Sequence, residues 1–274
     1  MRMNKYIKTV ALATVLMTAV AGFSGCSKQT PAPAADKIIK VGVTAGPHAE
    51  IMDVVKQAAA KEGLKIEVVE FNDYVQPNVA LSQGDIDVNS FQHQPYLDNM
   101  VQDRKYNIVS VAKTVIYPMG IYSKKVAALT ELKPGATIAI PNDPTNGGRA
   151  LLLLEKQGLI KLKAGAGLKA AAADIAENPK GYKIKELDAA QVPRSLEDVD
   201  LAAINTNYAM TAGLVPNKDA LAIEDGNSPY ANVIAVQAKD KDNPAVAKLI
   251  KAYHSEEVKK FVNEHFKGSV IAVW

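Results

Sequence analysis

One segment of the chain combines two glycines with an arginine in a pattern suited to binding a small anion. The segment PNDPTNGGR ends in Gly147, Gly148 and Arg149 and follows a strand-like run. If the glycines open a helix, its first backbone N–H groups are free, and a guanidinium adds two parallel hydrogen-bond donors. The pattern therefore predicts a carboxylate site. A phosphate is less well supported, because neither G-x-G-x-x-G nor G-x-x-x-x-G-K-[ST] is present. The alternative to a binding site is that Arg149 is an ordinary exposed arginine in the first turn of a helix.

Two other segments place amide side chains beside strand-like runs. Asn205 and Asn207 follow LAAI, and Tyr230 and Asn232 precede VIAV. Amides offer both donors and acceptors, so a converging set of them suits a zwitterion, whose ammonium lies next to its carboxylate. Any single asparagine is more often a helix cap or a turn residue, and that alternative stays open for each.

A fourth segment, NSFQHQPYLDNM, sets Phe91 and His93 two residues apart after the run GDIDV. In an extended segment both side chains project to one side, where they form an apolar wall. Tyr74, after EVVEF, supplies a second wall. Such rings contact a polarizable sulfur or a short alkyl chain and are poor partners for charge. The alternatives are a core role for Phe91 and a structural hydrogen bond for His93.

The sequence lacks the common signatures of catalysis. The four histidines, His48, His93, His254 and His265, show no metal-ligand spacing, and no G-x-S-x-G motif is present. We therefore expect no enzyme, no metal and no cofactor.

The elements that must position these segments alternate between strand and helix. Apolar runs and helical spacing predict a first α/β unit and a second one, joined by a β-rich crossing over 110–123. The predicted strands are 38–43, 65–71, 86–88, 136–140, 181–187, 201–205 and 231–237. The predicted helices are one with apolar positions from Ile51 to Ala59, then 77–83, 147–158, 189–197, 243–253 and 255–266. A return of the C-terminal tail to the first unit gives two discontinuous lobes around a cleft.

The N-terminus has the pattern of an export signal. Arg2, Lys5 and Lys8 precede the apolar run TVALATVLMTAVAGF, which ends before Cys26. Removing this segment takes away three of the 32 basic residues and none of the 29 acidic ones, so the remainder is neutral and gives no case for nucleic-acid binding. FSGC resembles a lipobox, with Phe23 where leucine is usual. That resemblance implies acylation of Cys26, the one cysteine, after a signal over 1–25 and before a flexible tether over 26–36.

Taken together, these segments resemble the periplasmic-binding-like methionine-binding lipoproteins of the NlpA/MetQ family. The resemblance extends from the lipobox through KVGVTAGPHAEI, FNDYVQPNVAL, GDIDV, FQHQPYL, PNDPTNGGRALLLLE, AAINTNYA and SPYANVIAV. It implies a type II periplasmic-binding-protein fold, α/β, with a mixed, mostly parallel sheet flanked by helices in each lobe and a ligand cleft between lobes. The implied lobes are 37–118 with 226–274, and 119–225.

The resemblance also implies a function and residue roles. The ligand is L-methionine or a close analogue, passed to the permease and ATPase of an ABC importer by a protein anchored to the cell membrane on its periplasmic or extracellular side. Arg149 pairs with the carboxylate, Asn207 and Asn232 hold the amino and carboxylate groups, and the rings enclose the thioether. The implied ligand-binding residues are Tyr74, Phe91, His93, Asn146, Arg149, Asn207, Tyr230 and Asn232.

Family members differ in preferring L-methionine, D-methionine or a methionine-containing dipeptide, so the ligand stays open among these. Two other classes stay open as well. A binding protein for a different amino acid keeps Arg149 and the asparagines without needing the aromatic wall. A lipoprotein adhesin or structural anchor needs Cys26 and no cleft.

Overall fold

Two five-stranded sheets organise the chain in the computed structural model, which describes residues 38–274. The predicted signal peptide and the whole tether, with Cys26, lie outside the described residues. The strands are β1 (Ile38–Thr44), β2 (Lys65–Phe71), β3 (Val88–Asn89), β4 (Ile108–Lys113), β5 (Val115–Ile116), β6 (Gly120–Tyr122), β7 (Thr137–Pro141), β8 (Lys161–Leu162), β9 (Ile175–Glu177), β10 (Lys183–Leu187), β11 (Leu201–Ile204), β12 (Ala222–Ile223), β13 (Val233–Gln237) and β14 (Ile271–Ala272).

Helices cover both faces of each sheet. They are α1 (Pro47–Lys61), α2 (Gln76–Gln83), α3 (Gln94–Arg104), α4 (Pro144–Lys156), α5 (Thr206–Thr211), α6 (Pro216–Asp219), α7 (Pro244–Tyr253) and α8 (Glu256–Phe266). Six of them carry proline at their first or second position, where its fixed φ suits a helix start and its missing N–H costs no hydrogen bond.

The first sheet has the strand order β2-β1-β3-β13-β4. β1 runs parallel to β2 and β3, whereas β13 is antiparallel to β3 and β4. The apolar faces of α1, α7 and α8 pack with the side chains of β1 into one core, and Leu81 of α2 and Leu97 of α3 belong to a second core. Burial of these side chains on both faces explains the continuous apolar runs of the strands.

The second sheet has the order β10-β7-β11-β6-β12. Here β7 is parallel to β10 and β11, and β6 is antiparallel to β11 and β12. Leu151 and Leu154 of α4 pack with Ile138 and Ile140 of β7 in one core, and Leu196 lies in another core with Ile204. The predicted α/β fold with mixed, helix-flanked sheets is confirmed.

The chain passes twice between the sheets. The first crossover (residues 114–119) leaves β4 and reaches β6, and the second crossover (residues 224–232) leaves β12 and reaches β13. The chain end is attached to the first crossover, because β14 pairs with β5 and Val273 N donates to Thr114 O at 3.1 Å.

Some predicted elements differ from the observed ones. The helix expected over 147–158 begins three residues earlier, since the side chain of Asp143 accepts from Thr145 N and Asn146 N as an N-cap. The segment expected over 189–197 is a 3-10 helix at Val192–Glu197. The third strand lies at Val88–Asn89 instead of 86–88. Helix α3 was not predicted, because its composition is mostly polar and shows little apolar periodicity.

Candidate ligand-binding site

A cavity lies where the carboxyl ends of the parallel strands of both sheets face one another. Such strand ends are the usual ligand position in open α/β sheets. Seven of the eight sequence-predicted residues line this cavity: Tyr74, Phe91, His93, Asn146, Arg149, Asn207 and Asn232. The eighth, Tyr230, is buried directly behind them, with its ring 5.0 Å from the ring of His93 and 4.2 Å from the guanidinium carbon of Arg149.

A buried amide network fixes the segment that carries Phe91 and His93. Gln92 and Asn78 exchange two hydrogen bonds of 2.7 and 2.8 Å, and Asn89 Nδ2 donates to Asn78 Oδ1 at 2.9 Å. Buried polar groups that are paired in this way are geometrically restrictive. The network therefore holds the flanking residues Phe91 and His93 at the cavity in their observed orientation.

His93 joins the cavity wall to helix α3 and to the opposite side of the cavity. Its Nδ1 accepts from Tyr96 N at 3.1 Å, as the N-cap of α3. Nε2 therefore carries the hydrogen and donates to Asn146 Oδ1 at 3.2 Å. Burial, and secondarily the positive charge of Arg149, lowers the pKa of His93 to about 3, so the ring is neutral.

His48 is a second neutral imidazole at the cavity. Its Nε2 accepts from Asn232 Nδ2 at 3.0 Å, so its Nδ1 donates to Thr44 Oγ1 at 2.8 Å. The ring packs at 4.3 Å against Tyr117. Burial lowers the pKa of His48 to about 3. Neither histidine brings charge to the site at neutral pH.

Three rings form an apolar wall. Tyr74 lies 6.0 Å from Phe91 and 5.9 Å from Tyr96, and Phe91 lies 6.2 Å from Tyr96, measured between ring centroids. Edge-to-face and tilted contacts at these distances are favourable. The hydroxyl of Tyr74 donates to Asn207 Oδ1 at 2.5 Å.

Arg149 is 3% exposed and already has a partner of opposite charge. Its Nε donates to Glu224 Oε1 at 3.1 Å, its Nη2 donates to Glu224 Oε2, and Nη2 also donates to Tyr117 O at 2.8 Å. The bidentate edge of the guanidinium is thus occupied by Glu224. Among the described residues none accepts from Nη1, which is the donor left for a ligand.

The expectation that free N–H groups at Gly147 and Gly148 bind an anion is wrong. Asp143 Oδ1 accepts from Asn146 N at 2.9 Å, and Gly147 N donates to Asp143 O at 2.8 Å, so these donors are used within the helix start. The glycines permit close packing instead. A Cβ on Gly148 would lie 2.4 Å from Leu168 O, and one on Gly147 would lie 2.8 Å from Pro141 O.

Several buried polar atoms around the cavity have no hydrogen-bond partner among the described residues. They are Asn205 Oδ1, Asn207 Nδ2 and the hydroxyls of Tyr117 and Tyr230. Asn205 Nδ2 donates to Asn146 Oδ1 at 2.7 Å, which leaves its oxygen as a free acceptor. Unpaired buried polar groups are costly, so the cavity is complementary to a ligand that offers both donors and acceptors.

The cavity wall also includes residues outside the implied ligand-binding set: His48, Gln92, Tyr96, Tyr117, Thr206 and Asn205, of which Asn205 was considered from the sequence as one of the converging amides. His48 and Asn205 follow the ends of β1 and β11 closely, which is the same signal that identified the predicted residues. Glu224, the partner of Arg149, lies just after a two-residue strand with no pattern to mark it.

Residues 38–274 contain no helix that is long and apolar enough to cross a membrane. They also contain no group of three or more His, Cys, Asp or Glu side chains that could hold a metal ion.

Comparison with known proteins places the chain among lipoproteins. The model of the NlpA lipoprotein family matches residues 39–274. The D-methionine-binding lipoprotein MetQ of Salmonella typhimurium is 50% identical over 270 residues, with 97% of this chain and 98% of that protein covered. A solved nutrient-binding protein from Burkholderia cenocepacia, bound to methionine, is 61% identical with a TM-score of 0.85 and covers 86% of this chain and all of its own. A periplasmic substrate-binding protein of an ABC transporter from Coxiella burnetii is 53% identical with a TM-score of 0.83, over 86% of this chain and all of its own.

Proposed function

The chain belongs to the NlpA lipoprotein family, and from that premise we propose that it is the substrate-binding lipoprotein of an ABC importer for methionine. One observation carries the proposal: a single cavity is lined by rings on one side and by amides and a guanidinium on the other. An amino acid with an apolar, sulfur-containing side chain matches both sides. The role is binding and delivery, without catalysis.

The unpaired atoms indicate how the two ends of the amino acid are held. Arg149 Nη1 and Asn207 Nδ2 are donors and suit the carboxylate, whereas Asn205 Oδ1 is an acceptor and suits the ammonium. Asn232 Nδ2 donates to His48, so its amide oxygen is the atom left for the ammonium. The side chain then extends toward Phe91, Tyr74 and Tyr96.

We further propose that the two sheets belong to lobes that close on the ligand. The lobes are 37–118 with 226–274, and 119–225, and residues of both line the cavity. Because ligand contacts to both lobes are made only in the closed state, binding shifts the population toward closure. Small-angle scattering should show a smaller radius of gyration with methionine than in a verified ligand-free sample. Identical curves contradict closure.

Anchoring of the protein is a separate part of the proposal. Cys26 follows an apolar export segment, and the matching family and relatives are named lipoproteins. The proposed location is the cell membrane, with the protein held by lipid on Cys26 and facing the periplasm or the outside. Two or more acyl chains are expected, since one chain binds membranes only marginally. Metabolic labelling with palmitate should mark the natural chain and not Cys26→Ala, and equal labelling of both refutes the assignment.

Calorimetric titration tests the ligand. L-methionine, D-methionine, a glycyl-methionine dipeptide and norleucine are compared at equal pH after removal of carried-over ligand by unfolding and refolding. We expect L-methionine to bind more tightly than norleucine. Tighter binding of D-methionine or of the dipeptide revises the ligand while keeping the function. Tighter binding of an unrelated amino acid favours a different importer, and binding of none favours an adhesin or a structural lipoprotein.

A further inference from the structure

The pair formed by buried Arg149 and partly buried Glu224 leaves the polar end of the cavity without net charge. The exposed fractions of the two side chains are 3% and 13%. Building on the proposed function, we propose that Glu224 is a specificity-determining residue. Its carboxylate neutralises Arg149, and the site thereby selects ligands without net charge, such as amino-acid zwitterions, over monoanions that carry the same carboxylate.

Neutrality of the site follows from the groups around it. Among the described residues that line the cavity, Arg149 is the one with a formal charge. His48 and His93 are neutral, as burial lowers the pKa of each to about 3. Asp143 is the nearest other carboxylate to Asn146; it accepts from Asn146 Nδ2 at 2.9 Å and caps α4, where the helix dipole favours a negative charge.

The geometry of Glu224 distinguishes it from an ordinary ion-pair partner. Its carboxylate accepts from Arg149 Nε and Nη2, and its own N–H donates to Met119 O at 2.9 Å, with Met119 N donating back to Oε2 at 3.3 Å. Glu224 begins the second crossover, and its carboxylate is held by Met119 of the first crossover and by Arg149. A fixed negative charge beside the binding guanidinium repels an added anion and attracts an ammonium, and low exposure strengthens both effects.

The test compares two ligands that differ only in the ammonium group. L-methionine is titrated directly, and its des-amino analogue 4-(methylsulfanyl)butanoate is titrated in competition with methionine. In Glu224→Gln the size of the side chain is kept and the charge is lost. We expect the ratio of the methionine affinity to the analogue affinity to fall by about tenfold. A ratio equal to that of the natural chain overturns the proposal.

Two further variants separate charge from positioning. Glu224→Asp keeps the charge and shortens the side chain, so both affinities should fall while their ratio stays within about twofold. Asp225→Asn removes the same charge one residue away, from an exposed pair with Lys156, and should change neither affinity. If Glu224→Gln does not fold, as judged by thermal unfolding, the Asp variant decides: a constant ratio supports the proposal and an altered ratio overturns it. Failure of the natural chain to bind methionine contradicts the proposed function instead.

Discussion

The two sheets share one strand order, yet the sides of the cavity that they supply differ in chemistry. β2-β1-β3-β13-β4 corresponds strand for strand to β10-β7-β11-β6-β12, with the fourth strand antiparallel in both. Loops of the first sheet contribute the rings, including Tyr74, Phe91 and His93, and loops of the second contribute Asn146, Arg149, Asn205 and Asn207. Asn232, just before β13 of the first sheet, is an amide outside this division. The shared topology therefore fixes where a ligand binds, and the loop residues decide what it is.

The two sides also differ in how many of their polar groups have a hydrogen-bond partner within the protein. On the ring side, the amide network of Asn78, Asn89 and Gln92 pairs its own polar groups, and the wall depends on packing. On the amide side, Asn205 Oδ1 and Asn207 Nδ2 remain unpaired. An apolar wall needs no ligand to satisfy its groups. Polar recognition instead requires donors and acceptors that have no partner until the ligand binds.

The largest effect is expected from Arg149→Ala, which breaks the amide side. Removing the guanidinium leaves the partly buried Glu224 without its partner, so the free energy of unfolding should fall by about 3 kcal/mol. Affinity for every amino acid that binds should fall by about 2 to 4 kcal/mol, since all share the carboxylate. Urea unfolding and calorimetry measure the two quantities.

Lys156→Ala is the matched control for Arg149. Lys156 is in the same helix and pairs with Asp225, but both side chains are more than half exposed. Its replacement should leave stability within about 1 kcal/mol and affinity unchanged. If Arg149→Ala lost more affinity for methionine than for norleucine, the division of roles between the two sides would be contradicted.

The next effect concerns pH and the two neutral imidazoles. The folded pKa values of His48 and His93 are about 3, below the ordinary 6.5. The contribution of the two neutral imidazoles to the free energy of unfolding is therefore complete above pH 6.5. It is lost as the pH falls from 6.5 toward 3, because each imidazole takes up a proton on unfolding. Between pH 7 and pH 5 each histidine should lower the free energy of unfolding by about 2 kcal/mol. Urea midpoints of His48→Gln should depend less on pH than those of the natural chain, and an equal dependence contradicts the assignment.

Much of the fold was predictable because apolar runs and helical spacing record burial directly. The run IIKVGV predicted β1, and KIEVVEF matches β2 residue for residue. Helix α3 was missed because Gln94, Asp98 and Asn99 interrupt any apolar stripe, and His93 caps it through a ring nitrogen rather than through a typical cap residue. Its formation depends on tertiary packing of Tyr96 and Leu97, which local propensity does not report.

The site was partly predictable for a different reason. Side chains in the loops that follow parallel strands lie at the carboxyl edge of their sheet, and these edges of the two sheets face each other, which places Phe91 of one sheet near Arg149 and Asn207 of the other. The pairing of Arg149 with Glu224 was not predictable, because 75 residues separate them in sequence and only the second crossover brings them together. The observed start of α4 depends on one N-cap residue, Asp143. Its side chain accepts hydrogen bonds from the first N–H groups of the helix, which were expected to bind an anion.

A smaller and more selective effect is expected on the ring side from Phe91→Ala. Phe91 is 3% exposed and forms the wall with Tyr74 and Tyr96. Its loss should weaken methionine binding by about 1 to 2 kcal/mol and reduce the preference over norleucine, because the sulfur loses its ring contact. Phe266→Ala, in the core of the first sheet at 4% exposure, is the control: it should lower stability and leave the preference intact. An unchanged preference in Phe91→Ala makes Phe91 a core residue only.

The smallest effect is expected from Tyr74→Phe, which removes one of the hydrogen bonds between the two sides and keeps the ring. Burial raises the pKa of Tyr74 above its ordinary value, so the hydroxyl stays protonated and donates to Asn207 Oδ1. Losing this bond should weaken methionine binding by about 1 kcal/mol. Norleucine binding should fall by the same factor, since the hydroxyl acts on the amide side and on closure. Tyr106→Phe, a control outside the cavity wall, should bind normally. Unequal losses for methionine and norleucine would mean that the Tyr74 hydroxyl influences the side-chain pocket.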